Sequence, residues 1–111
     1  MADRPIDFAA LPAEAQEYIR SRFRDAIEDR VPHNRVLGLK YEGFDGKRLV
    51  VRLPYDPRLV GNPESGVLHG GAITALMDAT AGTAVFARLM KPLRVATLDL
   101  RIDYLNTIPS R

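Results

Sequence analysis

The sequence predicts an α+β domain in which a long apolar helix is covered by a curved antiparallel sheet. Residues 71–89 read GAITALMDATAGTAVFARL and are apolar or small on every side of a helix, so we expect this helix to be buried all round. Short apolar-polar alternations before and after it predict strands that would cover it. With 111 residues and 46% hydrophobic content, the chain is long enough for one domain with its own core, residues 1–111.

An amphipathic helix is predicted first, over residues 12–30. Its apolar side chains recur at three- and four-residue steps, and most charged ones lie opposite. Pro12 suits a first helical turn, and Pro32 marks the end of the helix. We expect this helix to pack on the core rather than to carry chemistry, with an apolar face made of Ala15, Tyr18, Ile19, Phe23, Ala26 and Ile27.

Three strands are predicted. Residues 37–44 and 47–54 flank Asp45-Gly46, a turn pair typical of a tight hairpin. A loop rich in proline and glycine then leads to the apolar helix. After that helix, residues 95–105 alternate almost strictly between apolar and polar, which predicts a long half-buried strand. Three strands are few for covering a helix, so we expect either a partner that supplies more sheet or an incomplete domain.

The composition excludes several classes of function. The absence of cysteine rules out disulfides, thiolate nucleophiles and Cys-based zinc sites, and two histidines are too few for a His-rich metal site. A net charge of +2 with interspersed signs argues against a nucleic-acid partner. No run approaches the roughly 20 apolar residues of a membrane span, and the N-terminus is unlike a signal peptide. We therefore expect a cytoplasmic protein without a membrane partner.

Asp78 is the residue that points most directly to chemistry. It is the only charged side chain between Glu64 and Arg88, and it lies inside the apolar helix. A carboxylate is costly in an apolar interior unless a partner stabilises it, so we interpret Asp78 as a candidate reactive group. A local ion pair or helix cap is the structural alternative.

The residues before the helix suggest a binding site for developing negative charge. Gly70 and Gly71 lie where the unpaired N–H groups of the helix point outward, and the helix dipole favours negative charge there, such as a thioester oxygen in its transition state. His69 could be a core hydrogen-bonder, a base or a metal ligand; we favour a ring bonded to backbone that shapes the loop. Asn62 is interpreted as a turn residue, with the orientation of water or a carbonyl as the alternative.

Two segments of the sequence resemble the hotdog-fold acyl-CoA thioesterases. They are GNPESGVLHGGAI at 61–73, followed by Leu76-Met77-Asp78, and TLDLRIDYL at 97–105. A Gly-x-x-His-Gly-Gly motif with an acid nine positions after the histidine is most similar to the branch of the phenylacetic-acid-pathway thioesterases. The resemblance extends over about residues 30–108.

This resemblance implies a hotdog fold, with a long central helix wrapped by an antiparallel sheet, in dimers or tetramers whose active sites lie at the subunit interface. It implies hydrolysis of an acyl-CoA thioester to a free acid and CoA, with no cofactor. Asp78 matches the family's catalytic acid, which acts as general base or nucleophile, and Gly70 matches the backbone N–H that polarises the carbonyl. Asn62, His69 and Thr97 match the loop residue near the scissile bond, the loop-shaping histidine and a hydroxyl that places the attacking water.

The family normally continues past Leu105 with further strands that complete the sheet and the CoA groove, so the resemblance implies a domain incomplete at its C-terminus. A non-catalytic acyl-CoA-binding or regulatory module is therefore the alternative function. A hotdog dehydratase is disfavoured, because its Phe-Pro-Gly loop and helix glutamate do not occur here. Four residues are candidates for an acyl pocket, although core packing is the favoured role of the last two: Tyr41, Tyr55, Phe86 and Met90.

Overall fold

The computed structural model describes residues 7–89 and 96–106. Within these ranges, short helices and strands lead into one long helix near the end of the chain. In order, they are a 3-10 turn Phe8–Ala10, helix α1 Ala13–Asp25 with a π-helical continuation Ala26–Arg30, helix α2 Pro32–Leu37, strands β1 Lys40–Phe44 and β2 Leu49–Arg52, a 3-10 turn Pro57–Leu59, strands β3 Val60–Asn62 and β4 Val67–Leu68, and helix α3 Gly70–Leu89.

The predicted N-terminal helix is confirmed as α1, with its final residues in π-helical form. Phe23 and Ile27 form the enclosed part of its apolar face, at 2% and 0% exposure. Tyr18 was predicted on the same face but is 65% exposed. It lies about 100° around the helix from Ile19, which places its ring beyond the edge of the contact with the core.

A short helix, α2, begins where the sequence predicted the end of helical structure. Pro32 occupies the start of α2, where the missing N–H of proline sacrifices no helical hydrogen bond. Gly38 ends the helix in the left-handed conformation, at φ +76°, which glycine adopts without strain. The N–H groups of Gly38 and Leu39 both donate to the Asn34 carbonyl, at 3.0 and 3.1 Å. The first strand therefore begins at Lys40 instead of residue 37.

The predicted hairpin is confirmed as the antiparallel pair β1–β2, although its turn is longer than a two-residue one. Asp45 Oδ1 accepts hydrogen bonds from the backbone N–H groups of Lys47 and Arg48, at 2.8 and 2.7 Å. These donors hold the pKa of the Asp45 carboxyl below its ordinary value. Gly46 has φ +97°, so the Asp-Gly pair does shape the turn, as the sequence indicated.

The core consists of two clusters of buried side chains, and α3 contributes to both. The first is aromatic: Phe44 makes edge-to-face contacts with Phe8 and Phe23, at ring-centroid distances of 4.9 and 5.0 Å. Such contacts add to the stabilisation from burial alone. Helix α3 adds Ala87 to this cluster. The second cluster is mainly aliphatic and consists of Ile27, Leu37, Leu39 and Ala72.

The prediction that the apolar helix is buried on every side is wrong for the described chain. Among the described side chains of α3, Ala72 and Ala87 are the buried ones, whereas Met77 and Val85 are 43% and 45% exposed. The reason is that the described strands form two two-stranded sheets, too small a surface to enclose a helix. No helix in the described ranges has both the length and the apolarity needed to cross a membrane.

The strand predicted at 95–105 is also not present, as far as the described residues reach. Residue 95 lies outside them, and residues 96–106 belong to no strand, with Leu98 and Leu105 at 100% and 94% exposure. A strand requires a hydrogen-bonded neighbour, and the described part of the chain offers none here. The segment instead runs alongside α3, since Thr97 contacts Asp78 and Tyr104 contacts Gly70.

Candidate active site

His69 joins the β3–β4 hairpin to the first turn of α3. Its backbone N–H donates to the Leu59 carbonyl at 2.7 Å, and its carbonyl accepts from Ala72 N–H at 3.0 Å. Its ring Nδ1 accepts a hydrogen bond from Gly71 N–H at 2.8 Å. An Nδ1 that accepts carries no proton, so in the neutral ring the proton is on Nε2. The backbone-bonded ring is the arrangement that the sequence analysis favoured.

The N–H of Gly70, at the start of α3, is available as a donor. Gly70 N–H makes no hydrogen bond to another described residue, whereas Gly71 N–H is taken by the His69 ring. The Gly70 carbonyl accepts from Tyr104 Oη at 2.8 Å and from Thr74 Oγ1 at 3.1 Å. The Tyr104 ring would be about 3.5 Å from a Cβ at Gly70. A free N–H at the positive end of a long helix is suited to an oxygen that gains negative charge.

Asp78 and Thr97 form a hydrogen-bonded pair. Thr97 Oγ1 donates to Asp78 Oδ1 at 2.5 Å, across 19 residues of sequence. Asp78 itself is exposed, which corrects the expectation of a carboxylate enclosed by an apolar helix. The cause is that α3 is only partly covered in the described chain: Asp78 borders the open pocket between α3 and the helices α1 and α2.

Asp78 and Gly70 do not meet within one chain. They lie on the same helix, eight positions apart, which corresponds to about 12 Å along the axis. A thioester group is much smaller than this separation. The two predicted functional groups of α3 therefore belong to different places in a single copy of the protein.

Asn62 lies in the turn between β3 and β4. Its side-chain Oδ1 accepts from Glu64 N–H at 3.0 Å, and its carbonyl accepts from Gly66 N–H at 2.8 Å. The side chain is exposed. These are the bonds of a turn-forming asparagine, the interpretation that the sequence favoured for this position.

A pocket of about 570 Å³ separates α3 from α1 and α2. Its polar lining includes Asp78 and Thr97 together with Asn34 and His33. Its apolar lining includes Phe23, Phe86, Ala26, Val31, Ala75 and Ala79. Arg22, Arg30 and Thr83 complete the polar lining. Apolar walls combined with placed polar groups are typical of sites for organic ligands.

A second pocket, of about 330 Å³, adjoins the first, because His33 and Ala75 line both. His69 and Arg58 also line it. Asp56 pairs with Arg58, with Oδ2 2.7 Å from Nη2, and this contact holds the pKa of the Asp56 carboxyl below its ordinary value. No group of three or more potential metal ligands occurs among the described residues.

The sequence analysis missed several residues of this region. Asn34 and His33 were overlooked because α2 itself was not predicted. Tyr104 was assigned to a strand face, and only the structure brings its hydroxyl to Gly70. Of the acyl-pocket candidates, Phe86 lines the larger pocket, Tyr55 donates to the Gly66 carbonyl at 3.1 Å, Tyr41 packs against both core clusters, and Met90 lies outside the described residues.

Comparison with known proteins places this arrangement in a family. Residues 65–110 match the profile of the thioesterase superfamily. The medium/long-chain acyl-CoA thioesterase YigI of Escherichia coli K12 is 30% identical over 89 residues, which cover 68% of this chain and 57% of YigI. An acyl-coenzyme A thioesterase of Rattus norvegicus is 38% identical over 76 residues, covering 66% of this chain and 30% of that protein. The chain thus spans little more than half of YigI.

A crystal structure of a Pseudomonas aeruginosa protein superposes with a TM-score of 0.63, at 48% sequence identity, over 80% of this chain and 63% of that one. Together with the long helix and the antiparallel strands, this similarity defines a hotdog fold. The chain belongs to the thioesterase superfamily. The family resemblance found in the sequence is therefore confirmed, whereas the phenylacetic-acid-pathway branch stays a prediction.

Proposed function

We propose that the protein hydrolyses acyl-CoA thioesters to a free acid and CoA, with Asp78 as the catalytic base. The observation that carries the proposal is the Asp78–Thr97 pair at the wall of a largely apolar pocket. Thr97 donates to Oδ1, so Oδ2 can accept a proton from water. The apolar walls suit an acyl chain. Two relatives of the chain, YigI and the rat protein, are acyl-CoA thioesterases, which supports the substrate class.

In the proposed reaction, Asp78 first accepts one proton and later donates it. The Asp78 carboxylate takes a proton from water as the water oxygen attacks the thioester carbon, and the carbonyl oxygen becomes an oxyanion. The tetrahedral intermediate then expels the CoA thiolate by breaking the C–S bond, and Asp78 returns the proton to the sulfur. Direct attack by the carboxylate, through a mixed anhydride, is the alternative route for the same residue. Single-turnover hydrolysis in water enriched in heavy oxygen labels Asp78 only by that second route.

The Gly70 N–H is the proposed oxyanion donor, and it must come from a second copy of the chain. About 12 Å of helix separates Gly70 from Asp78 in one copy, so one thioester cannot contact both. The exposed Met77 and Val85 on α3 provide apolar surface that a second copy can cover. We therefore propose a homodimer, alone or paired into a tetramer, with its sites at the subunit interface.

The remaining predicted site residues act through the loop in this proposal. His69 holds Gly71 N–H, which fixes the first turn of α3 and leaves Gly70 N–H for the substrate. Asn62 belongs to the adjoining turn and lies near the scissile bond once two copies assemble. A cytoplasmic location completes the proposal.

Replacement of Asp78 by asparagine tests the assignment, because asparagine keeps the shape of the side chain but cannot act as the base. We expect Asp78→Asn to lower the rate of thiol release from a panel of aliphatic and aromatic acyl-CoAs by about 10² or more. The panel is run on the full-length protein, with oligomeric state measured in parallel. Near-wild-type hydrolysis by Asp78→Asn would contradict the proposal.

Thr97 offers a matched pair of variants. Thr97→Val removes the hydroxyl at nearly constant volume and should lower kcat by about tenfold, since the carboxylate loses one hydrogen bond. Thr97→Ser keeps the hydroxyl and should stay within about threefold of wild type. Equal activity of the two variants would remove Thr97 from the mechanism.

The non-catalytic alternative makes a different prediction for the wild-type protein. An acyl-CoA-binding module binds acyl-CoA tightly and releases no thiol. Calorimetric binding without turnover, on protein of verified oligomeric state, would replace the hydrolase proposal by this one.

A further inference from the structure

Asn34 is the only buried polar side chain among the described residues, at 6% exposure. Its backbone carbonyl accepts from Gly38 and Leu39, but its carboxamide makes no hydrogen bond to a described residue. The side chain lines the 570 Å³ pocket. A carboxamide carries two donors and an acceptor, and that of Asn34 is not among the described side-chain atoms that are enclosed without a partner, so it reaches the open space of the pocket. The position of Asn34 is therefore that of a group kept for a ligand.

The two ends of the pocket differ in their lining residues. It follows α3 from Ala75 to Phe86, eleven positions or about 16 Å. Phe86 meets Phe23 at a ring-centroid distance of 6.3 Å, which makes one end aromatic, with Arg22 and Thr83 beside the two rings. His33, next to Asn34 in α2, lines the second pocket together with Ala75. Asn34 therefore lies towards the end lined by Ala75, with Asp78 between the two ends.

The order of Asn34, Asp78 and the Phe23–Phe86 pair along the pocket suggests how a thioester lies in it. With the reacting carbon at Asp78, an acyl chain fits the end lined by Phe23 and Phe86. The thiol side of the substrate then extends towards Asn34. In acyl-CoA, the group a few bonds beyond the sulfur is a secondary amide, which offers one N–H donor and one carbonyl acceptor. A carboxamide can pair with both.

We propose that Asn34 is a specificity residue whose carboxamide binds the amide nearest the sulfur in the CoA arm. The inference rests on the proposed function, because it takes the reacting carbon to lie at Asp78. It makes the protein selective for thioesters of amide-bearing thiols over thioesters of simple alkyl thiols. Asn34 touches the substrate but neither donates nor accepts a proton in the reaction.

Two small substrates isolate the interaction. The N-acetylcysteamine thioester of an acid carries the amide, and the S-ethyl thioester of the same acid lacks it. In Asn34→Leu, two methyl groups replace the oxygen and nitrogen of the carboxamide on the same branched skeleton. We expect kcat/KM for the N-acetylcysteamine thioester to fall by about tenfold, mainly through KM, as for one lost hydrogen bond. The S-ethyl thioester should stay within about twofold of wild type.

Arg35→Leu is the control, since Arg35 is exposed on the same helix and lines neither pocket; both substrates should keep their wild-type rates. The thermal midpoint of Asn34→Leu should stay close to that of wild type, because the carboxamide makes no hydrogen bond to a described residue that the variant would lose. An equal loss on both substrates, or no loss on either, overturns the inference.

Failure of the proposed function is recognised separately, by a wild-type protein that hydrolyses neither thioester. In that case, binding of a non-hydrolysable S-alkyl CoA thioether is measured by calorimetry. About tenfold weaker binding by Asn34→Leu than by Arg35→Leu supports the role of Asn34, and equal affinities overturn it.

Discussion

Helices α1 and α3 pack on opposite strands of the same hairpin, yet they meet the core in different ways. Helix α1 and its π-helical continuation insert large side chains, Phe23 and Ile27, which are almost fully enclosed. Helix α3 presents Ala72 and Ala87 to the core and leaves Met77 and Val85 more exposed. Small inward residues let the backbone of α3 approach its neighbours closely. Helix α1 thus contributes mainly stability, while α3 has an outward face available for a second copy and a side towards α1 that lines the ligand pocket.

The largest expected effect is on stability and separates the two helices. Phe23→Ala removes an enclosed ring that contacts Phe44 and Phe86, and should lower the free energy of unfolding by about 3–5 kcal/mol. Val85→Ala, on the exposed side of α3, should change it by less than about 1 kcal/mol. Urea denaturation of both variants measures the difference. Similar losses for the two would mean that the outer face of α3 is as enclosed as that of α1.

A smaller effect on stability is expected where the β3–β4 hairpin contacts the start of α3. A Cβ at Gly61 would lie 2.9 Å from His69 Cα, so Gly61→Ala forces the backbone at the helix start to move. We expect a loss of about 1–3 kcal/mol in the free energy of unfolding. Gly82→Ala is the control within α3, where a Cβ meets nothing within 4 Å; it should raise stability by up to about 1 kcal/mol. A loss of stability in Gly82→Ala would show that this part of α3 is covered.

The smallest effect concerns Tyr41, which packs beneath α1. Its hydroxyl is buried without a hydrogen-bond partner among the described residues. Tyr41→Phe should therefore raise the free energy of unfolding at neutral pH by about 1 kcal/mol. A decrease would indicate a partner for the hydroxyl.

The pH dependence of the same variant provides a second measurement. Burial raises the pKa of the Tyr41 phenol above its ordinary value of 10.0, against the opposing charges of Arg20 and Arg24. The Tyr41 phenol therefore loses its proton at a lower pH in the unfolded chain than in the folded protein. Its contribution to the free energy of unfolding is intact below about pH 10 and is lost as the pH rises from there through the folded-state pKa. Wild type should lose more stability than Tyr41→Phe over that alkaline range. Parallel curves for the two proteins would contradict this.

The sequence pattern correctly predicted the parts of the fold in which apolar and charged residues recur at regular spacing. The face of α1 and the hairpin at Asp45-Gly46 are of this kind. The patterns failed at Pro32, because proline both follows helices and begins them, and so α2 was missed. They failed again at residues 96–106, where strict alternation is present but the described chain provides no neighbouring strand.

In the candidate site, too, the sequence identified individual residues but not the contacts between them. Asp78 is conspicuous as a lone charge, and the family motif includes Gly70, His69, Asn62 and Thr97. The motif does not reveal that Thr97 donates to Asp78, since 19 residues separate them, nor that Asn34 is buried beside the same pocket.

The sequence by itself determined the membership in a family, the amphipathic helix, the hairpin and the acid on which the proposed chemistry depends. Each of these can be recognised from residues that lie close together in the sequence. Only the tertiary structure decided which side of α3 is covered and which polar groups share a pocket. A helix that is apolar all round carries no periodicity to orient it, so its buried face is selected by the elements that pack against it.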